Sequence, residues 1–138
     1  EASIIATAVL DELGISQIWA KAVSQQHGRI LKRVGADHVV YPEHDMGHQV
    51  AHMVGGRILD WFHLDETFAL VQTVVPSQFI GKTLAQSGIR DQFNVTIVCV
   101  KSAGGTFTYA TPETTLAAGD VLVVAGNTEA AEAFARTM

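Results

Sequence analysis

The sequence predicts an α/β chain in two parts, a small parallel sheet with crossover helices and then a compact α+β module. Three observations carry this. Helical and strand patterns alternate through residues 1–54 with short connections, which is how parallel strands are joined. After Phe68, β-branched runs alternate with glycine turns and short helical stretches. Between these signals, Val34-Gly35-Ala36-Asp37-His38-Val39-Val40-Tyr41-Pro42-Glu43 reads as a helix end, a glycine cap, a short strand and a stop.

The elements follow in order. Glu1 to Leu13 reads as a helix with Ile4, Ile5, Ala8, Val9 and Leu13 on one broad face, stopped by Gly14. Ile18 to Ala22 is a short strand, nearly apolar apart from Lys21. Ser24 caps a helix from Gln25 to Val34, His38–Tyr41 forms the next strand, and residues 44–54 form a helix with Met46, Val50, Met53 and Val54 on its apolar side. Two parallel strands are too few for an independent sheet. The sequence preceding Glu1, or another chain, is therefore expected to complete it. Ile58 to Phe62 is a dense apolar cluster read as a short helix. Strands are expected at Phe68–Val75, Val95–Lys101, Phe107–Tyr109 (half-buried) and Asp120–Ala125, with helices at Lys82–Gln86 and Glu129–Arg136. The boundary between the two parts is placed near Leu64–Thr67, giving domains 1–64 and 65–138.

Composition narrows the function classes. At 48 % apolar, the 138 residues can build a packed core. The net charge of −5 divides as −3 over residues 1–65 and −2 over 66–138, so neither part offers the basic face that nucleic acid requires. The single cysteine, Cys99, is expected to be buried and inert, which points to a reducing, cytoplasmic setting. No apolar stretch reaches membrane-span length.

Three constellations are candidates for chemistry. Glu43 stands at the carboxyl end of a strand, the edge where open α/β sheets bind ligands; it binds a cation or a polar ligand there, or it complements the following helix dipole. Lys21 ends the other strand on the same edge, either meeting a phosphate or standing as a surface lysine. His44, His48 and His52, spaced i, i+4, i+8, share one helical face and form either a zinc, nickel or copper site or a histidine-rich polar face. No nucleophile elbow, P-loop or glycine-rich dinucleotide fingerprint is present.

Taken together, Trp19-Ala20-Lys21-Ala22, His27-Gly28-Arg29-Ile30-Leu31, Gly35-Ala36-Asp37 and Tyr41-Pro42-Glu43-His44-Asp45-Met46-Gly47 resemble the regulator of potassium conductance (RCK) domain, most of all that of the Trk/Ktr potassium uptake regulatory subunits. Gly81-Lys82-Thr83-Leu84, Ile89-Arg90-Asp91-Gln92-Phe93-Asn94-Val95 and Leu116-Ala117-Ala118-Gly119-Asp120-Val121-Leu122 extend the resemblance into the carboxyl-terminal subdomain. The resemblance implies the back half of a Rossmann-like subdomain, with the glycine-rich loop and ribose-binding acid lying before Glu1. It implies no catalysis. It implies a cytoplasmic ligand-sensing subunit, peripheral at the inner face of the membrane. Such a subunit is a homodimer, assembles into an octameric ring, and gates a membrane-embedded potassium channel or transporter in response to ATP, ADP or NAD. Lys21 would lie near the nucleotide phosphates, and Glu43 would share a cation (Mg, Ca or Na) with its counterpart in a second subunit. Some members bind the cyclic dinucleotide c-di-AMP between carboxyl-terminal subdomains. The arginine they use aligns with Arg90, and an asparagine aligns with Thr96, which offers one hydroxyl in place of an amide. The competing class is a truncated dinucleotide-dependent oxidoreductase, which would need a catalytic acid or base beside a substrate pocket at the strand edge.

Overall fold

A computed structural model describes residues 1–137 and divides the chain into two compact units, Glu1–His48 and Gln49–Met138. The first unit runs α1 (Ala2–Glu12), β1 (Trp19–Lys21), α2 (Gln25–Arg33), β2 (His38–Val40) and the opening of α3 (Pro42–Met53). β1 and β2 pair in parallel, Trp19 opposite His38 and Lys21 opposite Val40. The Ser24 hydroxyl accepts from the His27 N–H at 3.1 Å and starts α2. Gly35 ends it at φ +107°, a left-handed conformation that suits glycine; a Cβ there would also collide with the Asp11 carboxylate. Ile18, Ala20, Ala22, Leu31 and Ala36 are buried, with Ile4, Val39 and Tyr41 packed around them.

The predicted apolar face of α1 is only partly used. Ile4 packs on the core and Thr7 is buried, its hydroxyl donating to the Ser3 carbonyl, whereas Ile5 and Leu13 are 65 % and 71 % exposed. A sheet of two strands is too narrow to cover the whole face.

In the second unit, β3 (Ile58–His63), β4 (Phe68–Val74), β5 (Val95–Lys101), β6 (Phe107–Tyr109) and β7 (Val121–Asn127) form an antiparallel sheet in the order β3-β4-β7-β5-β6. The short helices α4 (Leu84–Ser87) and α5 (Ile89–Phe93) and the final helix α6 (Thr128–Arg136) complete it. Thr83 and Gln86 form a reciprocal capping box on α4. The Asn127 side chain accepts from the Glu129 N–H at 3.0 Å and opens α6. One core cluster gathers Val75, Phe79, Ile89, Leu116, Leu122 and Phe134; a second gathers Ile58, Trp61, Ala69, Val71, Ala131 and Ala135.

The structure departs from four expectations. Ile58–Phe62 is a strand, not a short helix. A bulge between Ile58 and Asp60 shifts the register, so Ile58 and Trp61 are both buried at a spacing of three, which imitates helical periodicity. Because β3 pairs with β4, it belongs to the second unit, and the division falls at His48/Gln49 rather than at 64/65. β6 is exposed at every position rather than half-buried, since it lies at the sheet edge, and Cys99 is only partly buried.

The β3–β4 turn is organised by Asp65. Its Oδ1 accepts from the Thr67 N–H at 2.7 Å, the Thr67 hydroxyl at 3.0 Å and the Phe68 N–H at 2.8 Å. These bonds, the Thr67 backbone bond foremost, hold the carboxyl below the usual aspartate range. A depressed native value gives stability that is present above the unfolded value and lost as pH falls through the native one. Thermal midpoints measured from about pH 5 down to about pH 2 are therefore expected to fall more steeply for the native chain than for Asp65→Asn. Superimposable curves would remove this role.

Candidate functional site

The first unit brings Lys21 and Glu43 together. Lys21 closes β1, and Glu43 enters the first turn of α3 directly behind Pro42, whose fixed φ and missing N–H suit a helix start. The Ala22 N–H donates to the Val40 carbonyl at 2.8 Å and continues the parallel pairing to this end. The Lys21 ammonium then lies 2.5 Å from Glu43 Oε1, with the two side chains 55 % and 65 % exposed. The hydrogen bond from Lys21, joined by a bond to the Glu43 backbone, lowers the Glu43 carboxyl below its ordinary value. The result is a solvent-facing cation–carboxylate pair at the carboxyl edge of parallel strands, in which each charge occupies the other. A phosphate approaching Lys21, or a metal cation approaching Glu43, has to displace the existing partner.

The three histidines divide into a pair and a third with other partners. The His44 and His48 rings lie 4.6 Å apart at 57°, and His44 Nδ1 is 3.6 Å from Asp45. The His52 ring stacks flat on Trp61 at 3.9 Å and 9°, with its Nδ1 3.4 Å from Glu132 Oε1. Among the described residues no three His, Cys, Asp or Glu side chains are grouped so as to hold a metal ion.

The second unit joins Arg90 and Thr96. α5 carries Arg90, and Asn94 reverses the chain at φ +55°, a left-handed position that asparagine tolerates better than most side chains. β5 then begins at once, so that the Arg90 guanidinium donates to the Thr96 hydroxyl at 2.9 Å. The two residues line a cavity of about 320 Å³ together with Leu84, Ala85, Thr111 and Pro112. Thr111 and Pro112 were not singled out from the sequence. They reach this wall because the Ala85 N–H donates to the Pro112 carbonyl at 2.9 Å, a long-range bond with no periodic signal behind it.

Comparison with known proteins matches the TrkA-N domain to residues 1–42 and the TrkA-C domain to residues 70–138. The Ktr system potassium uptake protein C of Bacillus subtilis is 35 % identical over 128 residues, covering 92 % of this chain and 58 % of that protein. The Ktr system potassium uptake protein A of Vibrio alginolyticus is 35 % identical over 126 residues, covering 91 % and 57 %. The chain thus spans somewhat over half the length of these relatives. Among solved structures, the RCK domain of GsuK superposes with a TM-score of 0.52 at 25 % identity, covering 93 % of this chain and 30 % of that one.

Proposed function

The chain belongs to the TrkA-C domain family, with TrkA-N sequence ahead of it, and from that membership we propose that it regulates a potassium-transporting pore in response to a bound nucleotide. The relatives are potassium uptake proteins, and in this chain the paired Lys21 and Glu43 carry the reading. Lys21 turns its ammonium from Glu43 to a phosphate of ATP, ADP or NAD. Glu43 is thereby released as a carboxylate beside new negative charge. Like charges at close range repel unless a cation intervenes, so Glu43 takes a Mg, Ca or Na ion shared with its counterpart in a second subunit. Nucleotide and cation then favour one shape of a homodimer, and an octameric ring of such dimers passes the difference to the membrane partner at the cytoplasmic face. A ligand achieves this only through unequal affinity for the two shapes; moving the balance from 1:99 to 99:1 takes about a 10⁴-fold difference.

This role is allosteric. Lys21 and Glu43 are exposed and occupied by each other, the opposite of the desolvated acid or base that a truncated oxidoreductase would place at this edge. No helix among the described residues is long and apolar enough to cross a membrane.

Glu43→Gln tests the reading in the full-length protein assembled with its pore. The cation concentration for half-maximal potassium uptake is expected to rise by about 5–150-fold, the span of an ordinary allosteric coupling, with the fold intact. An unchanged cation dependence would leave Glu43 as a helix-start residue only.

A second reading rests on the meeting of Arg90 and Thr96 at one cavity wall. We propose c-di-AMP as its ligand, held by the Arg90 fork on a phosphate and by the single hydroxyl of Thr96. Titration calorimetry of the chain is expected to give a binding isotherm that Arg90→Ala weakens by about ten- to a hundredfold, as loss of charged hydrogen bonds does. The absence of binding heat at millimolar c-di-AMP would end this reading.

A further inference from the structure

Around the end of α6 the described residues of the second unit bring two guanidinium groups and an imidazole together with one carboxylate. Arg57, between the Gly55-Gly56 turn and β3, donates to the Thr137 carbonyl. Arg136 donates to Glu132 Oε1 at 3.0 Å, and His52 Nδ1 stands 3.4 Å from the same oxygen. One carboxylate therefore serves a guanidinium and an imidazole while a second guanidinium stands beside them. Each guanidinium carries five N–H donors, and these bonds use a small part of that capacity.

A helix C-terminus accommodates a cation through its dipole and its free carbonyls, and Arg57 on Thr137 fills that role. Arg136 lines the same cavity from the last turn of α6, paired with Glu132, so two guanidinium groups there share a single carboxylate. The cavity lined by Ala51, His52, Arg57, Ile58, Glu132 and Arg136 encloses about 280 Å³, close to the lower end of the roughly 300–1,000 Å³ typical of small-molecule sites. Part of its lining is apolar and rigid. Ile58 and Ala135 are 8 % and 2 % exposed, and the stack on Trp61 fixes the His52 ring. Guanidinium forks match phosphate oxygens two at a time, and the apolar wall gives a short carbon skeleton a dry surface.

We propose that this cavity binds a small organic phosphate through Arg57 and Arg136, with the carbon portion against Ile58 and Ala135. Glu132 opposes the anion and sets its affinity, since it holds Arg136 and adds negative charge at the cavity wall. The site lies wholly in the second unit and involves neither Lys21 and Glu43 nor Arg90 and Thr96.

The test is a titration of the whole chain with glycerol 3-phosphate and, separately, with inorganic phosphate. Ionic strength is held constant with chloride, and the backbone amide signals of Gly55, Arg57, Ile58 and Ala135 are followed. Saturating shifts confined to these residues are expected, at lower concentrations of glycerol 3-phosphate than of inorganic phosphate. Arg136→Gln is expected to weaken binding about tenfold, as loss of a charged bidentate contact does. Glu132→Gln is expected to tighten it several-fold, a gain that a misfolded variant cannot imitate. Unsaturating shifts, equal affinity for the two probes, or a Glu132→Gln variant that binds no better would each overturn the proposal.

Discussion

Phe134→Ala is expected to remove about 3–5 kcal/mol from the stability of the second unit, the range for truncating a buried phenylalanine. Phe134 is fully buried on α6. Its ring lies 6.1 Å from Phe79 in a stack and 5.3 Å from Phe93 edge-on, and Phe79 meets Phe93 edge-on at 6.2 Å. The two remaining rings are held by backbone elsewhere, Phe79 in a one-turn 3₁₀ segment and Phe93 at the end of α5, which limits how far they can close over the space that Phe134 leaves. The cavity cost is therefore added to the lost transfer energy. A domain holds only about 5–15 kcal/mol in total, so the variant stands near the threshold of unfolding. Urea denaturation followed by circular dichroism is expected to show a lower midpoint with an unchanged slope. A loss below about 1.5 kcal/mol, the scale of a volume-conserving swap, would mean that the aromatic cluster is not the keystone of this core.

Legibility from the sequence followed the locality of each signal. The passage from α2 through Gly35 to β2 was readable because cap, turn and strand are each set by adjacent residues, and the structure reproduces all three. α6 was readable for the same reason, with Asn127 before its periodic run. β3 reads as a helix because Ile58, Leu59, Trp61 and Phe62 form a dense apolar run without strict alternation, while the pairing with β4 that makes it a strand is set by residues further along. The apolar face of α1 is legible from its spacing, but how much of it is buried is not, because burial depends on the width of the sheet beneath it, a property that no residue of α1 carries.

The site divided along the same line. That Lys21 and Glu43 share one sheet edge followed from element order, whereas their direct contact depended on how β1 and β2 pair. Arg90 and Thr96 were picked out through family resemblance alone, and Thr111 and Pro112 came to the cavity by a bond no local pattern announces. Asp65 holds its turn through ordinary Asx bonding two and three residues ahead, which local reading could have anticipated.

Trp61→Ala is expected to be as costly as Phe134→Ala, about 3–5 kcal/mol, through a different part of the same unit. Trp61 is 2 % exposed in the cluster of Ile58, Ala69, Val71, Ala131 and Ala135, with Met53 packed against it. Its indole N–H donates to His63 Nε2 at 3.1 Å, and one ring face is covered by His52 at 3.9 Å. Alanine leaves a cavity, an unpaired His63 nitrogen and a His52 ring without its stacking surface. Residues 49–53 at the end of α3 then keep the Gln49–Asp60 hydrogen bond to β3 but lose their stacking contact with it. Trp61→Phe separates these losses, since it keeps a stacking face and sacrifices chiefly the N–H bond, worth about 0.5–1.5 kcal/mol. The measurements are equilibrium unfolding and amide hydrogen exchange. The alanine variant is expected to speed exchange at residues 50–54 while the phenylalanine variant leaves it near the native rate. The double variant with Phe134→Ala is expected to depart from additivity, because α6 supplies Phe134 to one cluster and Ala131 and Ala135 to the other. Equal stability of Trp61→Ala and Trp61→Phe would show that the stack on His52 and the filled volume contribute nothing beyond the hydrogen bond, and would detach the end of α3 from the core of this unit.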